Sequence, residues 1–166
     1  MSNTMETDAD EVFIKFKDLS IKEMKKALTQ AIRESAMGLR KEVRANLRKS
    51  VKGANKKSEK YEDTLLQGVR MTKTKERNGE INAYVTITSN QKKKSQSYKL
   101  KFFEIGTKKR YTTYWKGNKL KKERYTGEIT ASHFYERAVE NYQSKADKIM
   151  MDAIKKAVYK INNKKI

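Results

Sequence analysis

The chain has no cysteine and no proline, and it has one histidine and one tryptophan in 166 residues. Without cysteine there are no disulfides, no thiolate nucleophile and no Cys-based metal site. Without proline no helix or strand is interrupted by a missing amide donor. No apolar run reaches the 18 residues that mark a membrane-spanning helix. The N-terminus carries Glu6, Asp8, Asp10 and Glu11 where a secretory leader is basic and then apolar, so the chain is expected to stay in the cytoplasm in which it is made. Acidic residues are scarce beside basic ones, 20 Asp+Glu against 40 Lys+Arg, for a net charge of +20. Apolar residues make up only 36% of the chain, which predicts a thin core and surface buried against other subunits.

What is present is unevenly placed charge. Residues 89–124 hold 13 Lys+Arg and two acids, Glu104 and Glu123. Dense ammonium and guanidinium groups favour a polyanion, because binding one releases its condensed counterions. Lys92, Lys93 and Lys94 lie in a polar loop over 89–97. Lys108, Lys109, Arg110, Lys116, Lys119, Lys121, Lys122 and Arg124 lie in a second loop over 108–131, among Tyr111, Tyr114, Trp115 and Tyr125. Gly117-Asn118 predicts a tight turn there, with strands near 110–116 and 119–126. Rings and cations in this pattern suit stacking on bases and pairing with phosphates, or packing against another subunit.

The rest of the chain reads as a scaffold. Val12 to Phe16 alternates like a short strand. Ser20-Ile21-Lys22-Glu23 is a capping box. From it Ile21, Met24, Leu28, Ala31, Ile32, Ser35, Leu39, Val43 and Leu47 form one helical stripe with Gly38 in the middle. Asn78-Gly79 between Val69–Thr74 and Ile81–Ile87 predicts a hairpin. Tyr98–Ile105 fits a strand or a short helix. A last helix is expected from Ser132 to Asn162, with Tyr135, Val139, Tyr142, Ala146, Ile149, Ala153, Ala157 and Ile161 facing inward. The whole is expected to be one α+β domain: a small, mostly antiparallel sheet with a long helix at each end and a projecting basic loop or hairpin.

Catalytic patterns are not evident. His133, in the first turn of a helix, reads as a capping or packing residue. No Ser–His–acid motif or Gly-rich phosphate loop occurs, and the carboxylates are dispersed rather than clustered as a metal nuclease requires. No cofactor or metal is expected. Glu104, set among apolar residues, is expected to hold the Gly106-Thr107 corner through nearby amides.

In order, these parts resemble the tail-completion, or head–tail joining, family of tailed bacteriophages. Thr64-Leu65-Leu66-Gln67-Gly68-Val69 is similar to that family's Thr-Gly-x-Leu approach to its sheet, with Leu65 in place of glycine. Tyr98 through Thr107 is similar to its Tyr-Ala-x-x-x-Glu-x-Gly-Thr motif, matched at Glu104, Gly106 and Thr107 beside Phe103. Ala131 through Ala138 is similar to its Ala-x-Pro-Phe start of the C-terminal helix, matched at Phe134 and Ala138, with His133 in place of proline. The resemblance implies a non-enzymatic virion protein at the head–tail junction. It implies a sixfold or twelvefold homo-oligomeric ring around the DNA channel, with portal, adaptor and tail proteins as partners. In such a ring the basic arms have DNA, contacted without regard to sequence, acidic partner proteins or the acidic N-terminal segments of adjacent subunits as their expected neighbours. The alternative is a nucleic-acid-binding protein that acts as a free monomer or dimer.

Overall fold

The computed structural model describes residues 14–17, 19–57, 59–87 and 95–163. It is α+β as the sequence predicts, 54% helical and 20% strand. Helix α1 spans Ile21–Ser50, and four short strands follow: β1 Val69–Met71, β2 Lys75–Arg77, β3 Glu80–Asn82 and β4 Val85–Ile87. Helix α2 is Leu100–Ile105, strands β5 and β6 are Arg110–Trp115 and Asn118–Gly127, and helix α3 is Phe134–Asn162. The strands form three two-stranded ladders, β1 with β4, β2 with β3 and β5 with β6. Among the described residues no helix is long and apolar enough to cross a membrane.

Local chemistry explains most boundaries. The Ser20 amide donates to Glu23 Oε2 at 2.9 Å and the Glu23 amide donates to Ser20 Oγ at 3.4 Å, the reciprocal capping box read from the sequence. Arg48 and Lys49 occupy the last turn of α1, where the negative end of the helix favours cations. Residues 14–17 are helical, which corrects the strand expected over 12–16 where that span is described. Tyr98–Ile105 resolves as helix, a 3-10 turn over Ser97–Lys99 leading into α2.

By its contacts the chain forms two compact units, each drawing on both long helices. The first comprises Met1–Arg40, Met71–Val85 and Asn141–Ile166. Its buried residues include Leu19, Ala27, Ala31, Ala36, Tyr142, Ala153 and Val158, whereas Ile21 is 75% exposed, so the α1 stripe starts a turn later than its first isoleucine. Asn78 and Gly79 both have positive φ, 52° and 82°, and form the predicted turn between β2 and β3. The flanking strands are shorter than alternation suggests. The Tyr84 amide donates to Thr72 Oγ1 at 2.8 Å, so a threonine hydroxyl takes a bond that a continuous ladder would give to the backbone.

Tyr142 fixes the helices of this unit. Its hydroxyl donates to the Ser35 carbonyl at 2.8 Å, and a Cβ on Gly38 would stand 2.2 Å from that hydroxyl oxygen and 2.9 Å from Cζ. Gly38→Ala should therefore destabilise by about 1–3 kcal/mol through overpacking. With Tyr142→Ala in the background the same change should become stabilising by about 0.8–1 kcal/mol, the helix preference of alanine over glycine. Urea titration of the four proteins checks the change of sign.

The second unit comprises Lys41–Arg70 and Thr86–Glu140. Val43, Leu47, Val51, Ala54, Leu65, Leu66, Val69, Leu100, Phe134 and Ala138 are its buried apolar residues. Asp63 ties two of its loops. Ser95 Oγ donates to Asp63 Oδ2, the Gln96 amide donates to Oδ1 at 2.7 Å, and Gln96 Nε2 donates to the Asp63 carbonyl at 2.6 Å. Ser95, Gln96 and Ser97, the described end of the polar loop expected over 89–97, are consequently buried. Lys92, Lys93 and Lys94 lie outside the described residues.

Candidate functional site

The two motif stretches of the sequence, some thirty residues apart, close on one another in the second unit. Glu104, near the end of α2, caps α3. Its Oε2 accepts the Tyr135 amide at 2.9 Å and its Oε1 accepts the Glu136 amide at 3.1 Å. Two of the four amides left without partners at a helix start thus find a carboxylate, which also suits the positive end of the helix. This corrects the expected role of Glu104, whose acceptors serve distant amides and not the adjacent corner.

The corner is held by other groups. The Thr107 amide donates to the Ile129 carbonyl at 2.8 Å, and the Ile129 amide donates to Thr107 Oγ1 at 2.9 Å. Ser132 donates to the Phe103 carbonyl from its amide at 2.8 Å and from its hydroxyl at 2.7 Å. The His133 amide donates to the Glu104 carbonyl at 3.1 Å. These bonds hold Ser132 and His133 outside the helix, which starts two residues later than predicted, at Phe134. Arg137 adds a second tie, with Nη2 donating to Ser50 Oγ at 2.8 Å and to the Ser132 carbonyl at 2.6 Å.

Phe134 and Ala138 are fully buried, whereas Val139 is 37% exposed. The cap sets the start of α3 with Phe134 and Ala138 turned inward, Tyr135 half-buried and Val139 exposed. His133 has φ of 45°. A proline, fixed near −65° and lacking the amide that bonds Glu104, cannot occupy that conformation.

The clasp carries a hairpin. Lys116 and Gly117 have φ of 49° and 85°, the two positive values of a type I′ turn. The turn is thus Lys116-Gly117 and not Gly117-Asn118, and the strands run 110–115 and 118–127. Tyr111 pairs with Tyr125, Thr112 with Arg124, Tyr114 with Lys119 and Trp115 with Asn118, with a register shift between Thr112 and Tyr114. Four residues, Leu120 to Glu123, therefore face one, Thr113. Within the two strands only Thr112, Leu120 and Gly127 are not exposed. Three of the rings are engaged within the ribbon: Tyr111 and Tyr125 have centroids 5.6 Å apart, and the Arg124 guanidinium lies 4.0 Å over the Trp115 ring. Tyr114 is 59% exposed. Lys108, Lys109, Arg110, Lys116, Lys119, Lys121, Lys122 and Arg124 are all exposed.

Two further clusters were not legible in the sequence. Tyr61 and Tyr98 share a hydroxyl hydrogen bond of 2.9 Å, with the Lys99 ammonium 4.3 Å over the Tyr61 ring. That bond lowers the Tyr61 phenol below its ordinary pKa, helped by the positive charges of Lys99 and Lys60, and it raises that of Tyr98. Among the described residues, Glu104, His133 and Glu136 bring atoms able to ligate a cation within 4.8 Å of one another. Both Glu104 oxygens already accept amide protons, Glu136 Oε2 lies 3.0 Å from His133 Nδ1, and a cation would face the positive end of α3. The group is built as a helix cap.

No protein family, curated protein or solved structure matches this chain.

Proposed function

We propose that this chain is a structural assembly protein, a ring subunit of the neck that joins a phage head to its tail, and that its working surface is the β5–β6 hairpin. The observation that carries the reading is the division of labour between clasp and hairpin. Glu104, Gly106, Thr107, Phe134 and Ala138 serve the backbone and the core, which is scaffold work. The hairpin they hold is exposed along nearly its whole length, and a two-stranded ribbon is only marginally stable by itself in water. A partner surface in an assembly would supply what the ribbon lacks.

A closed ring also suits a chain with a thin core, since heterologous contacts that close by rotation bury surface which a monomer leaves open. Ile14, Met37, Met151 and Tyr159, all exposed in the first unit, are available for such contacts. The reading predicts that light scattering on the purified protein, at raised concentration or with particles lacking the neck, gives six or twelve times the 19.4 kDa subunit mass. A strict monomer that never associates with particles would overturn it.

The second reading, a free sequence-independent nucleic-acid binder, is favoured by the same exposed cations, which need no ring to meet phosphate. It predicts tight binding by a monomer or dimer and no particle association.

A further inference from the structure

We infer that the β5–β6 hairpin is a duplex-DNA-binding ribbon that lies in the major groove and contacts phosphates without reading base sequence. The inference rests on the hairpin being the working surface, and it holds whether or not the subunit forms a ring.

Charge sets the class of occupant. Residues 108–126 carry Lys108, Lys109, Arg110, Lys116, Lys119, Lys121, Lys122 and Arg124 against the single acid Glu123. A second copy of the hairpin would meet like charge along its whole length. Lysine edges and an irregular register are also the features by which exposed ribbons resist strand addition.

The choice between nucleic acid and an acidic protein follows from residue type and exposure. Six of those eight cations are lysines, and lysine is depleted at the cores of protein–protein interfaces. Consecutive residues Lys121 to Thr126 are all exposed, so neither face of the ribbon is covered. A flat protein surface would cover one face, whereas a groove meets the ribbon at its floor and lines both of its edges with phosphates. The major groove of B-DNA, about 12 Å wide, admits a two-stranded ribbon whose strands lie about 4.8 Å apart.

The rings favour duplex over single strand. Stacking platforms for unpaired bases need an open ring face. Trp115 already has the Arg124 guanidinium over one face and Tyr111 and Tyr125 contact one another, which leaves Tyr114, 59% exposed, as the one ring of the four outside these contacts and short of a run of platforms. These contacts flank the widened stretch at Leu120–Glu123, and the lysines of the hairpin are all exposed.

The test measures binding of the full chain to a 30-base-pair duplex by fluorescence anisotropy across a salt series. It compares wild type with a variant carrying Lys116→Gln, Lys119→Gln, Lys121→Gln and Lys122→Gln, and with the matching Lys→Arg variant. Each neutralised phosphate adds about 0.9 to the slope of log K against log salt, so the glutamine variant should lose about 3–4 from the slope. The arginine variant, with its charge intact, should keep the slope, and a wild-type urea titration curve of the glutamine variant shows that it still folds. The duplex should bind more tightly than the same 30-nucleotide single strand. Methyl green, which occupies the major groove, should displace the protein, and netropsin, which occupies the minor groove, should not. The proposal is overturned by an unchanged slope in the glutamine variant, by tighter binding to the single strand, or by displacement with netropsin alone. It is overturned equally if the substitutions weaken binding to poly-glutamate and leave duplex binding intact, which would make the partner an acidic protein. Failure of the ring proposal is read separately, as a subunit mass in light scattering, and leaves these outcomes unaffected.

Discussion

Replacing Gly106 with alanine should cost about 3–5 kcal/mol, a large loss for a single methyl group. The residue sits at φ 75° and ψ −177°, a region essentially reserved for glycine, where another residue costs about 1–3 kcal/mol. The added Cβ would also stand 2.9 Å from the Ala131 nitrogen and 2.9 Å from the Ile129 oxygen. Both are backbone atoms and have no rotamer by which to withdraw. The Thr107–Ile129 bonds that close the base of the hairpin would have to open. Gly53 provides the control, since its φ is 78° and nothing lies within 4 Å of its hypothetical Cβ. Gly53→Ala should cost only the backbone penalty, about 1–2 kcal/mol. Equal losses in urea titrations of the two variants would show that the close approach at Gly106 contributes nothing.

Glu104→Ala should cost about 2–4 kcal/mol, because two amides at the start of α3 lose a charged acceptor at once. Hydrogen bonds to charged groups contribute about 1.5–3 kcal/mol each, and a typical cap about 1 kcal/mol. At this chain length the melting temperature should fall by roughly 5–15 °C. Hydrogen exchange gives the more specific readout: the Tyr135 and Glu136 amides should lose protection ahead of the rest of α3. Glu104→Gln, which keeps a carbonyl acceptor, should retain part of the protection. If Glu104→Ala left both amides as slow as in wild type, the cap would be disproved.

These two residues show where the sequence is legible and where it is not. The capping box at Ser20, the Asn78-Gly79 turn and the basic hairpin were all readable, because each rests on residues within a few positions of one another. The hairpin turn was misplaced by one residue, since lysine gives no local warning that it will adopt positive φ. The breaks around Thr72 and Tyr84 were invisible for a related reason: alternation does not say when a hydroxyl will stand in for a carbonyl. The Glu104 cap joins positions 31 and 32 residues apart, and no spacing rule reaches that far. Once the cap fixes the start of α3, Phe134 and Ala138 join the core, Tyr135 stays half-buried and Val139 alone of the expected inward residues is exposed. Asp63 and Arg137 give no signal in the sequence, because a charged residue beside a loop reads as solvated surface until its partners are known.

The sharing of α3 between the two units has a consequence for how the protein is made. Residues 134–140 complete one unit and residues 141–162 belong to the other. The unit that ends at Glu140 has all its residues once the first turns of α3 are made, whereas the other cannot finish its interior on the ribosome until the rest of that helix has been synthesised. Ser35 meets Tyr142 across 107 positions of sequence, and contacts so distant along the chain slow collapse. For that interval the nascent chain is a long, lysine-rich and unfinished polymer beside the cell's RNA, which makes its early encounters a matter of timing as much as affinity.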